Sequence, residues 1–118
     1  MSLDRDDIVD AALTLLNDQV FLEASQALGK LLASCSQEDA IRIGVLYRRA
    51  LSRRPHPDEL AALQSYLNQQ RELLKAGTLD AAAISGAKDL AEPKRIETAA
   101  WTLVTRVVLN LDETITKE

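Results

Sequence analysis

Few side chains in this sequence have the types and spacings that catalysis or metal binding requires. His56 is the only histidine and lies between two prolines; it suits a helix N-cap or an exposed turn, because a general base needs a positioned partner. Cys35 is the only cysteine, so neither an intramolecular disulfide nor a zinc cluster can be built on it. Asp112 and Glu113 are adjacent, and neighbouring carboxylates at a helix end point apart. The sequence therefore predicts no catalytic residue, no metal ligand and no cofactor site in this chain.

A group of arginines is the most unusual local feature. Five of them occur in a stretch without any acidic residue, and they are Arg42, Arg48, Arg49, Arg53 and Arg54. On a helical wheel Arg42, Arg49 and Arg53 form a narrow basic seam, and we predict that this seam is an interaction surface for an acidic partner. The alternative is pairing within the domain to Glu59 or Glu113, because a guanidinium prefers bidentate carboxylates.

The composition is that of one globular helical domain. The chain has 118 residues, of which 47% are hydrophobic and 27% charged, and these values are far from those of disordered sequences. Aromatic residues make up only 3%, so aliphatic side chains must build the core, and with few glycines and prolines they favour helices over a sandwich. The formal net charge of −4 disfavours non-specific nucleic-acid binding, because it repels a phosphate backbone.

Five helices are predicted, because apolar residues recur at three- and four-residue spacing. They span Asp4–Leu16, the stretch after Asp18 up to Ser34, Ser36–Ser52, Pro57–Ala76 and Pro93–Leu111. A capping box over Ser36–Asp39, Pro57 in a first turn and Gly77 as a left-handed C-cap mark helix ends. Residues 77–92 have weak periodicity and indicate a loop or a short, poorly anchored helix over residues 79–84. The predicted fold is an all-α bundle with a poorly structured connection before the last helix.

The apolar patterns also predict which helix faces are buried. In the second helix the predicted inward stripe contains Val20, Phe21, Ala24, Leu28, Leu31, Leu32 and Cys35. The third helix is apolar over most of its circumference, so we expect it to be central. The last helix carries an unbroken apolar stripe, and Trp101 lies off the centre of that stripe. We therefore expect the Trp101 ring at the edge of the core and partly covered.

Nothing in the sequence resembles a membrane or secretion segment. No apolar run approaches the roughly 20 residues that cross a bilayer, and the acidic N-terminus lacks the basic-then-apolar order of a secretory signal. Met1, Ser2 and Leu3 resemble a start added by an expression vector. We expect residues 1–118 to be a single helical domain without membrane insertion, and the C-terminal fragment of a longer protein. The oligomeric state is left open.

Several short motifs match a known family in their order along the chain. They are Leu16–Asp18 followed by Phe21 and Ala24, then Tyr47–Leu51, Arg54–Pro55, Asp58–Leu60, Ala100–Trp101 and Val108–Glu113. With these motifs the chain resembles the C-terminal planctomycete-specific domain of unknown function, abbreviated PSD, over most of its length. The resemblance implies a large parent protein, exported or in the cell envelope, that often carries an N-terminal cytochrome-c-like haem domain. Because this chain has no Cys-x-x-Cys-His motif, no haem is expected in it.

These observations predict a non-catalytic helical domain that acts as an interaction module, packing against other domains of its parent or against a partner protein. One alternative is an accessory part of an enzyme active site that missing parent domains complete. Another is self-association through the last helix. A second similarity, confined to Tyr47–Leu60, is to helical extracellular domains with a Leu-Gly-Arg-x-Pro turn, although Ser52 replaces the usual glycine.

Overall fold

The computed structural model describes residues 19–111, which form five α-helices and no strand. The helices are α1 (Gln19–Ser34), α2 (Asp39–Leu51), α3 (Pro57–Lys75), α4 (Ala81–Ser85) and α5 (Glu92–Asn110). The predicted all-α fold class is confirmed. The predicted helix over Asp4–Leu16 and the adjacent carboxylates Asp112 and Glu113 lie outside the described residues.

The last helix, α5, lies at the centre of this arrangement and packs against each of the other four helices. Its buried residues cover most of its circumference, and they are Ile96, Thr98, Ala99, Ala100, Trp101, Thr102, Val104, Thr105 and Val108. The prediction that α2 is central was wrong, because Ile41 and Val45 of α2 are 47% and 38% exposed. An apolar pattern shows what a helix can bury, but the number of neighbouring helices decides what is buried.

Polar residues of α5 are buried because their hydroxyls are satisfied within the helix itself. The Oγ1 atoms of Thr98, Thr102 and Thr105 donate to carbonyl oxygens of the preceding turn, those of Lys94, Thr98 and Trp101, at 2.9, 2.7 and 2.8 Å. A threonine bonded in this way can face a neighbouring helix without leaving an unpaired hydroxyl.

Trp101 is fully buried, so its predicted position at the edge of the core was wrong. Neighbouring helices therefore also cover the side of α5 that lies outside its predicted apolar stripe.

The first described helix, α1, packs very closely against α5 through small side chains. Its buried residues are Ser25, Gly29 and Leu32. An ideal Cβ placed on Gly29 would lie 2.7 Å from the backbone nitrogen of Thr102 and 2.8 Å from its Cα. Because backbone atoms cannot approach a Cβ so closely without a shift of one helix, only glycine fits at this point of contact.

The predicted inward stripe of α1 was therefore wrong in part. Val20 and Leu31 are 73% and 47% exposed, and Ala24 is exposed as well, whereas Leu32 is buried and Leu28 partly buried as predicted. Close approach of two helix backbones selects the residues with the smallest side chains. Hydrophobicity alone does not mark such residues as inward facing.

A capping box fixes the start of α3, whereas no side-chain cap bonds to the start of α2. His56 is the N-cap of α3, Pro57 is its first residue as predicted, and the His56 amide donates to Oε1 of Glu59 at 2.8 Å. α2 begins at Asp39 with Glu38 as N-cap and without a side-chain capping bond. The predicted capping box at the start of α2 does not form.

A left-handed glycine ends α3, as the sequence predicts. Gly77 has φ +79°, and its amide donates to the carbonyl of Leu74 at 3.2 Å while the amide of Thr78 donates to that of Leu73 at 3.0 Å. This pair of bonds is the Schellman motif, which needs a residue with positive φ at this position. The turn directs the chain toward α4.

Residues 77–92 contain a short helix, α4, that is anchored from both ends. The Asp80 side chain caps it by accepting from the amide of Ala83 at 3.1 Å. Nε2 of Gln26 in α1 donates to the carbonyl of Ile84 at 3.1 Å, and Ile84 and Leu79 pack on the core. The sequence predicted a loop or a poorly anchored helix here, because the bond from Gln26 comes from a residue 58 positions away along the chain.

Substituting alanine for Gly29 is expected to lower the free energy of unfolding by roughly 1–3 kcal/mol, the usual cost of overpacking. Gly44 in α2 is the matched control, since no atom lies within 4 Å of a Cβ built there. Gly44→Ala is expected to raise the free energy of unfolding by about 0.5–1 kcal/mol through helix propensity. Urea unfolding followed by circular dichroism measures both. Equal effects of the two substitutions would contradict the close packing of α1 on α5.

Candidate interaction surface

Within residues 19–111 no group of three or more His, Cys, Asp or Glu side chains is placed to hold a metal ion. His56 is exposed at the start of α3, and Cys35 is half-buried just after α1. None of the described helices is both long and apolar enough to cross a membrane. The features of this region that can recognise another molecule are its arginines and its exposed helix faces.

Arg42 connects α2 to the end of α1 and to the core tryptophan. Its Nε donates to the carbonyl of Gln37 at 2.8 Å and its Nη1 to that of Leu32 at 3.2 Å. The guanidinium lies 5.2 Å from the centroid of the Trp101 ring, within cation–π distance. Only 15% of the side chain is exposed, so most of the Arg42 guanidinium is used inside the domain.

Arg53 closes the turn between α2 and α3. Its Nη1 and Nη2 donate to Oε1 and Oε2 of Glu59 at 2.9 and 3.1 Å, and its guanidinium lies 5.2 Å from the centroid of the Tyr47 ring. The bidentate pair with Glu59 is the intradomain alternative that the sequence left open. The hydrogen bonds from Arg53 hold the pKa of Glu59 at about 2, below its usual value of 4.5.

Arg49 points away from these contacts and lines an open groove of about 760 Å³ on the outer side of α2. The residues of this groove, named the α2 face below, are Ala40, Ile41, Gly44, Val45, Arg48, Arg49, Arg54 and Pro55. In the part of the chain that the structure describes, no carboxylate lies within 4.0 Å of the guanidinium of Arg48, Arg49 or Arg54. The α2 face therefore combines exposed aliphatic side chains with three arginines that form no ion pair there.

Arg71 joins three helices, and sequence reasoning missed it. From α3 its Nε and Nη2 donate to Glu97 of α5 at 2.7 and 2.8 Å, and its Nη1 and Nη2 donate to Asp39 of α2 at 2.8 and 3.1 Å. Nη1 also donates to Oδ1 of Asn68 at 3.0 Å, so all five N–H donors of the guanidinium are used. The carboxylate partners are 32 and 26 residues away along the chain, and no local spacing indicates such a site.

The Arg71 cluster shifts the ionisation of its own members. The hydrogen bonds to Glu97 and Asp39 raise the pKa of Arg71 above its ordinary value. The hydrogen bonds from Arg71 lower the pKa of Asp39. These side chains are 16–33% exposed, so water screens the charges only in part. The cluster holds the start of α2 against α3 and α5.

Comparison with known protein families identified a match over the N-terminal part of the chain. A family model described as PSD1, protein of unknown function (DUF1553), matches residues 3–67, slightly more than half of the chain. The matched range includes α1, α2 with its exposed face, and the first half of α3. No curated protein and no solved structure matched.

Arg71→Leu is expected to lower the free energy of unfolding by about 1–3 kcal/mol, because two partly buried carboxylates lose their shared donor. Arg71→Lys should recover only part of this loss, since one ammonium cannot bind both carboxylates in bidentate fashion. Lys75→Met is the matched control in the same helix. Lys75 pairs with Glu72 at 3.7 Å with both side chains more than 60% exposed, and its loss should change stability by less than about 0.5 kcal/mol. Chemical unfolding compares the three variants, and an Arg71→Leu effect no larger than the control effect would show that the Arg71 cluster does not hold the three helices together.

Stability is expected to fall with acid in a window set by Glu59. A carboxyl whose pKa is depressed in the folded state stabilises the fold fully above its unfolded pKa and loses that contribution as the pH falls. For Glu59 the window runs from about 4.5 down to about 2. Glu59→Gln and Arg53→Gln should each flatten the curve of unfolding free energy against pH in this window. An unchanged slope in both variants would show that the pair does not control acid stability.

Proposed function

We propose that this chain, which belongs to the PSD1 family of proteins of unknown function (DUF1553), is a non-catalytic interaction domain that binds an acidic protein segment at the α2 face. The observation that carries this proposal is the placement of Arg48, Arg49 and Arg54 around exposed Ile41 and Val45. The partner is another domain of the parent protein or a separate protein. No cofactor takes part.

The chemistry of the α2 face favours a protein partner with both acidic and apolar side chains. Carboxylates of such a partner would pair with the three arginines and set the orientation and rate of encounter. Its apolar side chains would cover Ile41 and Val45 and supply most of the affinity. A nucleic acid fits less well, because the chain carries a net charge of −4 and the groove presents aliphatic rather than aromatic side chains to a base.

The three arginines of the basic seam predicted from the sequence, Arg42, Arg49 and Arg53, have different roles in this proposal. Arg49 contributes its charge directly, together with its neighbours Arg48 and Arg54. Arg42 and Arg53, whose guanidiniums bind Leu32 and Glu59 inside the domain, hold α2 in the position from which it presents this face. Substitution of Arg42 or Arg53 would thus act on binding through the placement of the helix.

The proposal is tested with a synthetic acidic amphipathic helix of about 16 residues, which spans about 24 Å. We expect saturable binding by isothermal titration calorimetry, with amide shifts in NMR spectra confined to residues 40–55. The double variant Arg48→Glu/Arg49→Glu should bind about tenfold more weakly. Lys88→Glu/Lys94→Glu has the same net charge and alters exposed lysines away from the α2 face, so it should bind within about twofold of the unchanged chain. Equal weakening by both double variants would reject the α2 face.

A further inference from the structure

A second exposed apolar face lies on α1. It shares no residue with the α2 face and carries no arginine. It consists of Val20, Ala24, Ala27 and Leu31, all of them exposed, with Val20 at 73% and Leu31 at 47%. Their spacings of four, three and four residues put all four on one side of the helix. The buried residues Ser25, Gly29 and Leu32 lie on the opposite side, against α5. This exposed seam has the repeat of a coiled-coil helix that lacks its partner.

We infer that α1 pairs with α1 of a second copy of this chain in antiparallel orientation. In such a pair Val20 lies against the partner's Leu31, and Ala24 lies against the partner's Ala27. The large side chains meet at the two ends, and the alanines meet in the middle, where their small size lets the helices approach. The contact is self-complementary about a two-fold axis, as a symmetric dimer requires.

Charge selects this orientation over the parallel one. Glu23 and Lys30 are seven residues apart on the same flank of the seam, both are exposed, and neither forms an ion pair within the described residues. In an antiparallel pair identical flanks face each other, so Glu23 meets the partner's Lys30 and the reverse pair forms by symmetry. In a parallel pair this flank would face Phe21 and Leu28, which offer no charge.

This inference assigns self-association to the exposed apolar face of α1 and not to the last helix, α5. α5 is interior, and nine of its residues are buried, so it has little surface to offer a second copy. Four seam positions in each chain make a short interface at the weak end of the specific range. The expected dimer therefore forms at high protein concentration and dissociates on dilution.

Sedimentation equilibrium of the full 118-residue chain from about 10 μM to about 1 mM is the test. We expect a reversible monomer–dimer equilibrium that Leu31→Glu abolishes. Glu23→Lys alone and Lys30→Glu alone should each weaken the dimer about five- to tenfold, because attraction becomes repulsion at two symmetric positions. The double variant Glu23→Lys/Lys30→Glu should restore the dimer to within about twofold of the unchanged chain.

A monomeric mass at every concentration would overturn the inference, and so would a double variant as weak as the single ones. Circular dichroism checks that each variant keeps its helices. We expect that it does, because the substituted side chains are exposed. Arg48→Glu/Arg49→Glu alters the α2 face and should leave the dimer unchanged. This variant separates the two surfaces, because a failure of the acidic-peptide test would leave the self-association result standing, and the reverse also holds.

Discussion

The position of α1 depends on the missing side chain at Gly29, and the enclosure of α5 depends on that position. Because the two backbones approach so closely at Thr102, α1 covers one side of α5 while the other three helices cover the rest. Thr102 supplies a small side chain at the contact, and its hydroxyl, like those of Thr98 and Thr105, bonds back within α5. A helix with a partly polar sequence can thus occupy the interior of a small domain without leaving those hydroxyls unpaired.

The arginines between residues 42 and 71 lie in two kinds of environment. Arg42, Arg53 and Arg71 bind carbonyls, carboxylates or aromatic faces and connect one helix to another. Arg48 and Arg49, on the exposed side of α2, have no such partner among the described residues. A guanidinium can serve either purpose, and its neighbours in the fold decide which one it serves.

Within residues 19–111 the positions of the long helices could be predicted from the sequence to within a few residues, because capping residues such as Pro57 and Gly77 and the apolar period are local signals. Burial was predicted less well. Leu32 is inside and Leu31 outside, and that choice depends on where α5 lies, which no spacing in α1 reveals. The arginine-rich stretch could be recognised from composition. Which of its arginines bind inside the domain and which stay exposed could not be recognised in this way. The cluster around Arg71 depends on residues brought together only by the fold.

The two ends of α2 are held by charge. Its first residue, Asp39, is bound to Arg71, and Arg53 just beyond its last turn is bound to Glu59, while only Ile43, Leu46 and Tyr47 are buried along its length. Ionic strength and acid weaken such attachments and leave apolar packing largely intact. Acid and salt would therefore loosen the two ends of α2, while Ile43, Leu46 and Tyr47, which are fully buried, keep its middle in the core. Solvent conditions could alter its outer face while the α1–α5 core stays folded.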